Sequence, residues 1–532
     1  MFPVEQVDFL ENPRKRRNYI YLEHTQSLCS KCLRVIDAKI IRTDDNQIVL
    51  RKWCREHGFE SCLLHSDADW YIHAQKYNRP GDIPLKFPTQ VERGCPYDCG
   101  VCPDHEQHMC LGLIDLTDAC NLACPTCFAD SKGTSYLSMD QIKAALDGFI
   151  EQEGVGAVVQ FSGGEPTMHP DVIEAVKQAV ERPTEVVMIN TNGIKMAQDE
   201  DFVKRLVDAS DYKLEIYLQF DGFTDEVNKA IRGAKMADMK MKAIENMLKH
   251  GLPINLAAVI QRGINEDQIG KIVEFGIKTK GIRGVNFQPA FAAGRFDHIM
   301  NPMDRVTNTE IMQALETQTD GMFRKTDFLP LPCSHPSQIA LTYAYIKGKK
   351  VKPIPRFVNL DPYMDQFINT IYTDPRPIYK KAIEGLWSAS SSFNSMKTLY
   401  DFSCVCGIPV KKDFYTTSGR QKIADENAFR IILIQFQDRF NWDMKVVKKC
   451  CIGFAMPDGR TIPFDAYNVL YRETHDVKHW QNGNIPSKIP MPAPYGMVPT
   501  NGNGIAKPLN GANGELKKEK KKKAPENKSV SK

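Results

Sequence analysis

The feature that most constrains this 532-residue chain is an alternation of short apolar runs with amphipathic segments between residues 111 and 288. The runs have the length of strands, and the segments between them repeat apolar residues at helical spacing. Strands that alternate with helices form a parallel sheet with right-handed crossovers. We therefore expect an α/β fold, a partial (β/α)6 TIM-like barrel whose functional residues follow the carboxyl ends of its strands. The predicted strands are residues 111–116, 157–161, 185–190, 213–220, 254–260 and 284–288, and the predicted helices are residues 139–150, 172–180, 202–209, 239–248 and 269–277.

Charge and composition exclude several classes of function. The formal net charge is +4, but residues 511–532 contribute +5, which leaves −1 for the rest of the chain. Such a body lacks the basic face that a nucleic-acid groove requires, so we expect no nucleic-acid partner. No apolar run reaches the length of a membrane-spanning helix and no signal-peptide pattern opens the chain, which predicts a cytoplasmic protein. The Lys-rich run at residues 517–523 leaves peripheral contact with a membrane open.

Cysteine spacing indicates metal binding. Eleven of the 16 cysteines precede residue 128, separated mostly by two or three residues, whereas a disulfide scaffold is expected in a short secreted chain. The sharpest motif is Cys120-Asn-Leu-Ala-Cys124-Pro-Thr-Cys127, directly after the first predicted strand. Three thiolates leave one iron of a cubane cluster open, which a cluster that binds a substrate or cofactor requires.

The next three predicted strands also end in motifs that could bind a cofactor. The second ends in Ser162-Gly163-Gly164-Glu165, where paired glycines permit close backbone approach and the carboxylate can accept hydrogen bonds from an ammonium group. The third and fourth end in Thr191-Asn192 and Gln219-Phe220-Asp221. Together with the cysteine loop, these motifs resemble those of the radical S-adenosylmethionine (radical SAM) enzymes.

The resemblance implies a [4Fe-4S] cluster on Cys120, Cys124 and Cys127 that cleaves SAM and releases a 5′-deoxyadenosyl radical. Such a radical removes hydrogen from unactivated carbon. A low-potential electron donor such as ferredoxin or flavodoxin is implied as well. Thr126 departs from the family pattern, in which an aromatic residue is common at this place. The implied SAM contacts are Ser162, Gly163, Gly164, Glu165, Thr191, Asn192, Gln219, Asp221 and Gln288.

Three further groups of ligands are predicted. The first could close a complete auxiliary [4Fe-4S] cluster, with a structural zinc site as the alternative. The second has a spacing shared by zinc ribbons and rubredoxin-like iron sites, with Cys62 as an alternative to its histidine. The third is widely spaced and supplies either another cluster or buried unliganded thiols. The first group is Cys95, Cys99, Cys102 and Cys110. The second is Cys29, Cys32, Cys54 and His57. The third is Cys333, Cys404, Cys406 and Cys451, the last beside Cys450.

A narrower resemblance follows from residues 93–130, 330–336 and 448–473, which are similar to archaeal-type tetraether lipid synthases and their bacterial relatives. It implies hydrogen removal from a lipid alkyl chain and carbon–carbon bond formation. Methylation or other modification of a small molecule such as a pterin is the alternative. Gln338, Gly453 and Asp465 stand where Cys, His and Cys are expected, which leaves the C-terminal ligands and the substrate open. A non-catalytic metal scaffold would have no use for the glycine pair beside an open cluster.

The predicted cofactors are SAM, one mononuclear zinc or iron, and at least two [4Fe-4S] clusters, with a third possible on the C-terminal cysteines. The motifs also divide the chain into five predicted parts. The parts are a zinc-ribbon or rubredoxin-like module at residues 1–90, an auxiliary-cluster segment at 91–110, the barrel at 111–300, a Cys-containing accessory domain at 301–480 and a disordered Pro/Gly/Lys-rich tail at 481–532.

We predict that replacing Cys120, Cys124 and Cys127 together by Ala abolishes SAM cleavage, because no other three-thiolate loop follows a predicted strand. Iron held by the other cysteines should remain. Anaerobic assay of 5′-deoxyadenosine with iron analysis checks both points. Continued 5′-deoxyadenosine formation by the triple variant would show that the catalytic cluster lies elsewhere.

Overall fold

The computed structural model describes residues 17–296, 301–331, 333–347, 350–356 and 428–483, and a few short stretches up to residue 508. Cys404, Cys406 and most of the predicted tail lie outside the described residues. Described residues as far as Pro490 belong to one compact unit. In the second unit, β17 (Met497–Val498) pairs antiparallel with β18 (Lys507–Pro508). None of the described helices combines the length and hydropathy of a membrane crossing.

The N-terminal part is an antiparallel sheet of four strands paired in chain order, β1 to β4. Its buried face, with Ile40 and Leu50, packs on Tyr71 of helix α1. Because β1 and β3 run in the same direction, the turns that follow them lie at one end of the sheet. Those two turns carry the Cys29 and Cys54 motifs. The elements are β1 (Tyr19–Leu28), β2 (Val35–Thr43), β3 (Ile48–Cys54), β4 (Gly58–His65) and α1 (Ala68–Ala74).

The predicted barrel is confirmed, with its six parallel strands adjacent in chain order from β5 to β10. Capping residues stabilise the ends of the helices between these strands. Ser138, for example, forms a capping box with Gln141 at the start of the first one. The strands are β5 (Leu111–Thr117), β6 (Ala157–Gly163), β7 (Thr184–Thr191), β8 (Leu214–Gln219), β9 (Ile254–Ile260) and β10 (Ile282–Pro289). The helices are α2 (Met139–Glu153), α3 (Val172–Val180), α4 (Ile194–Gln198), α5 (Glu200–Ala209), α6 (Asp225–Arg232), α7 (Ala237–Lys249) and α8 (Ile269–Lys278).

Residues after 300 extend this sheet at both edges. β14 pairs in parallel with β10, and β15 pairs in parallel with β5. β12 and β16 then add antiparallel strands outside them. These elements are α9 (Asn308–Gln318), β11 (Leu329–Pro330), β12 (Ile339–Lys347), β13 (Lys350–Pro353), β14 (Ala428–Ile434), α10 (Met444–Lys448), β15 (Ile452–Ala455), β16 (Thr461–Pro463), α11 (Phe464–Ala466), α12 (Arg472–His475) and α13 (Val477–Gln481).

The two faces of the barrel strands differ in chemistry. Side chains that alternate outward, such as Phe161, Ile189 and Leu218, are fully buried in the apolar layer beneath the helices. Inward-facing positions include Gln160 and Tyr217, which line an internal cavity. A buried apolar exterior therefore stabilises the barrel, while its interior is left for polar recognition.

A buried ion pair joins segments that are distant in the chain. Arg305 Nη2 lies 3.0 Å from Asp438 Oδ2, and neither side chain is exposed to solvent. Arg305 also donates to Cys62 Sγ at 3.5 Å, and Asp438 accepts from the Ala292 backbone at 2.9 Å. The pair thus connects β4 of the N-terminal sheet with the residues beyond β10 and β14.

We expect Arg305→Met to lower the free energy of unfolding by about 3–5 kcal/mol, because Asp438 would stay buried without its counter-charge. Denaturant unfolding of the anaerobic holoprotein measures this change. Arg205→Met is the matched control, since the partner of Arg205 is the exposed Asp201 and the expected loss is below about 1 kcal/mol. Equal losses for both variants would contradict the assignment.

Candidate active site and metal centres

The Cys120–Cys127 loop leaves the carboxyl end of β5 and is held from the other side of the barrel mouth. Arg295, beyond β10, donates its Nε to the Cys124 carbonyl at 2.9 Å, and its backbone N–H donates to the Cys127 carbonyl at 3.0 Å. Cys124 is buried, while Cys120 and Cys127 are half-buried. The loop thus presents its three thiols at the strand ends.

The electrostatics of these thiols favour a bound cation. Burial raises the pKa of Cys120 to about 11, and the charges of Glu165, Cys124 and Cys127 act in the same direction. Burial also raises the pKa of Cys124, although the nearby guanidinium of Arg232 opposes the shift. A bound iron cluster would hold these residues as thiolates, although their three Sγ atoms do not all lie within 4.8 Å of one another in the described structure.

Two glycines allow the end of β6 to lie against the loop after β5. The Gly164 N–H donates to the Thr117 carbonyl at 2.7 Å, and the Glu165 N–H donates to the Ala119 carbonyl at 2.8 Å. A Cβ on Gly164 would stand 2.1 Å from the Ala119 carbonyl oxygen, and one on Gly163 would stand 2.3 Å from that of Thr117. Only glycine permits this contact at both positions.

Glu165 connects three of the predicted motifs. Its buried carboxylate accepts from the Thr191 hydroxyl at 2.7 Å and from the Asn192 backbone N–H at 2.8 Å. Asn192 in turn donates to the side-chain oxygen of Asn121, inside the cysteine loop, at 2.7 Å. The turns after β5, β6 and β7 therefore form one hydrogen-bonded unit, as their positions at consecutive strand ends predict.

Asp221 is committed to a partner that the sequence did not identify. Its carboxylate accepts two hydrogen bonds from Arg232, at 2.6 and 2.8 Å, and Arg232 also donates to Gln219 Oε1 at 2.8 Å. Lys240 is missing from the sequence prediction too, and its Nζ donates to the Asn192 carbonyl at 2.6 Å. Burial lowers the pKa of Lys240 to about 7, and the charge of Arg232 acts in the same direction. The only available signal was their place on the helices after β8.

A cavity inside the barrel begins beneath these motifs. It has a volume of about 1290 Å³, counting the part open to solvent. Phe128 and Ser162 line its end near the cysteine loop, and Glu215 and Arg430 line it deeper in the barrel. Gln288 also lines the cavity and donates to the Tyr217 hydroxyl at 2.9 Å, so its amide nitrogen is already engaged.

The N-terminal ligands converge with the geometry of a single metal ion. The donor atoms of Cys29, Cys32, Cys54 and His57 all lie within 4.8 Å of one another. Cys32 Sγ is 4.0 Å from Cys54 Sγ, and His57 Nδ1 is 3.4 Å from Cys29 Sγ. Tetrahedral zinc with bonds of about 2.3 Å to sulfur separates two sulfurs by about 3.8 Å, so the four residues fit it. Cys62 instead accepts a hydrogen bond from Arg305.

Cys110 does not join the predicted Cys95 group. Its Sγ lies with those of Cys333 and Cys451, all within 4.8 Å and all buried. The pairing of β15 with β5 starts at Ile452 and Leu111, which makes the residues before them neighbours, and the Cys110 N–H donates to the Cys451 carbonyl at 2.8 Å. This long-range contact has no signal in local spacing.

The remaining three cysteines of that group stay together. Cys95, Cys99 and Cys102 surround one pocket, together with Lys448 and His105. A hydrogen bond with Cys99 lowers the pKa of Cys95. These thiols line a pocket of their own, although Cys99 shares an apolar cluster with the Cys110 group. Cys450 is buried beside the latter, and its carbonyl lies 2.9 Å from His105 Nε2.

Two family descriptions match the chain. The Radical SAM superfamily matches residues 114–276, which extend from β5 to α8. The HMPTM N-terminal zinc ribbon domain matches residues 21–66, the four-stranded sheet. Each match thus covers one of the parts that carries a ligand motif.

Individual proteins extend these similarities. A 7,8-dihydro-6-hydroxymethylpterin dimethyltransferase of Methanocaldococcus jannaschii is 31% identical over 498 residues, covering 85% of this chain and 95% of that protein. Mycofactocin maturase MftC of Mycobacterium tuberculosis is 34% identical over 151 residues, covering 28% of this chain and 37% of the relative. The crystal structure of Streptococcus suis SuiB bound to precursor peptide SuiA has a TM-score of 0.34 at 19% identity, covering 40% of this chain and 46% of that one. The first similarity spans nearly the whole of both chains.

We predict that Cys54→Ala removes one zinc per chain and leaves the iron content unchanged, because Cys54 belongs to a ligand set separate from the other cysteines. Metal analysis of purified wild type and variant measures both metals. Cys62→Ala is the control and should keep its zinc, since His57 completes the set. Loss of iron in place of zinc from the Cys54 variant would identify a mononuclear iron site.

Proposed function

This chain belongs to the radical SAM superfamily, in the family of the Methanocaldococcus dimethyltransferase, and we propose on this premise that it modifies a pterin-type small molecule. The predictions of an enzyme and of reductive SAM cleavage are confirmed. The narrower resemblance to tetraether lipid synthases is not supported by the relatives found. The name of the relative agrees with the alternative, modification of a pterin.

The chain's own residues fit the cofactors of this chemistry. Cys120, Cys124 and Cys127 would hold the cluster. The hydrogen-bonded turns after β6 and β7, which Glu165 connects, would bind SAM beside it. When bound, the cluster and SAM supply a 5′-deoxyadenosyl radical that removes hydrogen from substrate carbon. The barrel then has to orient the substrate and exclude water. Gly163 and Gly164 would help to exclude water, because they let the turn after β6 lie directly against the cysteine loop.

The observation that supports the choice of substrate is a set of amide side chains in the otherwise mostly apolar lining of the cavity under this site. Its lining includes the amide side chains of Gln160, Asn190, Asn286 and Gln288. A heterocycle with several hydrogen-bonding atoms can satisfy these groups, whereas an alkyl chain cannot. Most of the remaining lining is apolar, including Val158, Leu341 and Ile434, and this surface favours a lipid chain.

The other metal groups are proposed to support this activity. Cys95, Cys99 and Cys102 would hold an auxiliary cluster, and Cys110, Cys333 and Cys451 would hold a further metal or cluster. Zinc in the N-terminal sheet would be structural, since all four of its positions are occupied by protein ligands. Electrons would come from a low-potential donor such as ferredoxin or flavodoxin.

We expect reconstituted enzyme, reduced anaerobically with SAM, to form 5′-deoxyadenosine about tenfold faster when 7,8-dihydro-6-hydroxymethylpterin is added. The pterin should gain the mass of one or more methyl groups or another modification. Mass spectrometry and chromatography measure both products. The Cys120→Ala variant is the inactive control.

Phospholipid vesicles form the second arm of the same assay. Stimulation by vesicles, with altered alkyl chains and no effect of the pterin, would replace the pterin proposal with the lipid one. An unchanged rate in both arms would contradict both substrates.

A further inference from the structure

The internal cavity has two chemically different walls. Strands β6, β7, β8 and β10 contribute a polar group among Val158, Val186 and Met188, which we call the amide wall and which consists of Gln160, Asn190, Tyr217, Asn286 and Gln288. The facing strands contribute an apolar wall that includes Leu113, Leu341 and Ile432. Such a cavity suits a flat molecule that offers polar atoms at one edge and an apolar face.

Several groups of the amide wall have no partner in the described part of the protein. Gln160 and Asn286 are about 95% buried, and their side chains make no hydrogen bond with any described residue. Asn255, paired in register with Tyr217 and therefore on the same face of the sheet, is fully buried with both amide atoms unpaired. Buried polar groups are nearly always satisfied, and Gln160 and Asn286, which line the cavity as Asn255 does not, can be satisfied by a ligand or water bound there.

The paired members of the wall also keep free hydrogen-bonding capacity. The Tyr217 oxygen accepts from Gln288, but its own proton has no acceptor among the described residues. Burial raises the pKa of Tyr217, so the phenol remains a donor. Asn190 Oδ1 accepts from Gln219 at 3.4 Å, which leaves the Asn190 amide hydrogens for a ligand. The wall therefore presents donors and acceptors side by side.

The charged side chains at the cavity are joined in one ion-pair cluster. Its buried carboxylate, Glu215, is bonded to Arg283 Nη1 at 3.0 Å and to Arg430. Arg430 is the one arginine among the described lining residues; it pairs with Glu215, while its Nε has no hydrogen-bond partner in the described part of the protein. Amides and a phenol recognise neutral groups with paired donors and acceptors.

We infer that the amide wall reads the edge of an uncharged, planar nitrogen heterocycle whose ring face lies on the apolar wall. This inference rests on the proposed function and adds its recognition residues. Gln160 and Asn286 determine specificity through hydrogen bonds to ring nitrogen, amino and carbonyl groups. Phe128 and Ser162 mark the end of the cavity near the cysteine loop, so the reacting carbon faces that end.

The test measures equilibrium binding to the SAM-loaded, unreduced holoenzyme, so that it is independent of turnover. The probes are 7,8-dihydro-6-hydroxymethylpterin, guanosine and phospholipid vesicles. Asn286→Leu and Gln160→Met keep side-chain size but remove the amide, and each should weaken binding of the heterocycle at least about tenfold. Gln313→Met, at an exposed position of helix α9, is the matched control and should bind as wild type. Iron content and circular dichroism verify that the variants are loaded and folded.

The outcomes separate this inference from the proposed function. Pterin binding that the two cavity variants leave unchanged overturns the inference and leaves a pterin substrate standing. Guanosine binding that is sensitive to both variants, without pterin binding, supports the inference and overturns the pterin substrate. Wild type that binds neither heterocycle, or binds only vesicles, overturns both.

Discussion

Backbone contact between the end of β6 and the loop after β5 is the constraint on which the active site depends. Gly164 and Glu165 donate to the carbonyls of Thr117 and Ala119, and no side chain fits between them. This contact fixes the cysteine loop relative to the carboxylate of Glu165. It also sets where the cavity begins, because Ser162 is the next inward residue.

Buried charge is balanced within this unit. The carboxylate of Asp221 is neutralised by Arg232, and Lys240 binds a carbonyl at the end of β7. A buried charge without a partner would be costly, so these pairs hold the helices after β8 in place. They also keep cationic groups close to the thiols of the cysteine loop, where negative charge accumulates once the thiols are deprotonated.

The outer strands extend the barrel sheet at both edges and bring together cysteines from distant segments. β15 lies beside β5, which makes Cys110 and Cys451 neighbours, and Cys333 approaches within 3.7 Å of Cys451. β14 lies beside β10 and adds Ile432 and Ile434 to the apolar wall. The regions on either side of the six-strand core therefore help to form both the Cys110 group and the internal cavity.

Local patterns were sufficient to predict much of this protein. Apolar periodicity predicted the strands and most helices of the barrel, and short spacings predicted the loop of Cys120 and the zinc ligands. A tight turn between nearby residues, or a motif at a strand end, has few possible geometries, so spacing alone determines which side chains meet. The grouping of Cys110, the role of Arg232 and the two-walled cavity depended on the tertiary structure. The Cys110 group and the cavity arise where segments far apart in the chain pack together, and no local period encodes that packing. Arg232 is nearer in the chain, but its pairing with Asp221 depends on how helix α6 folds back on the end of β8.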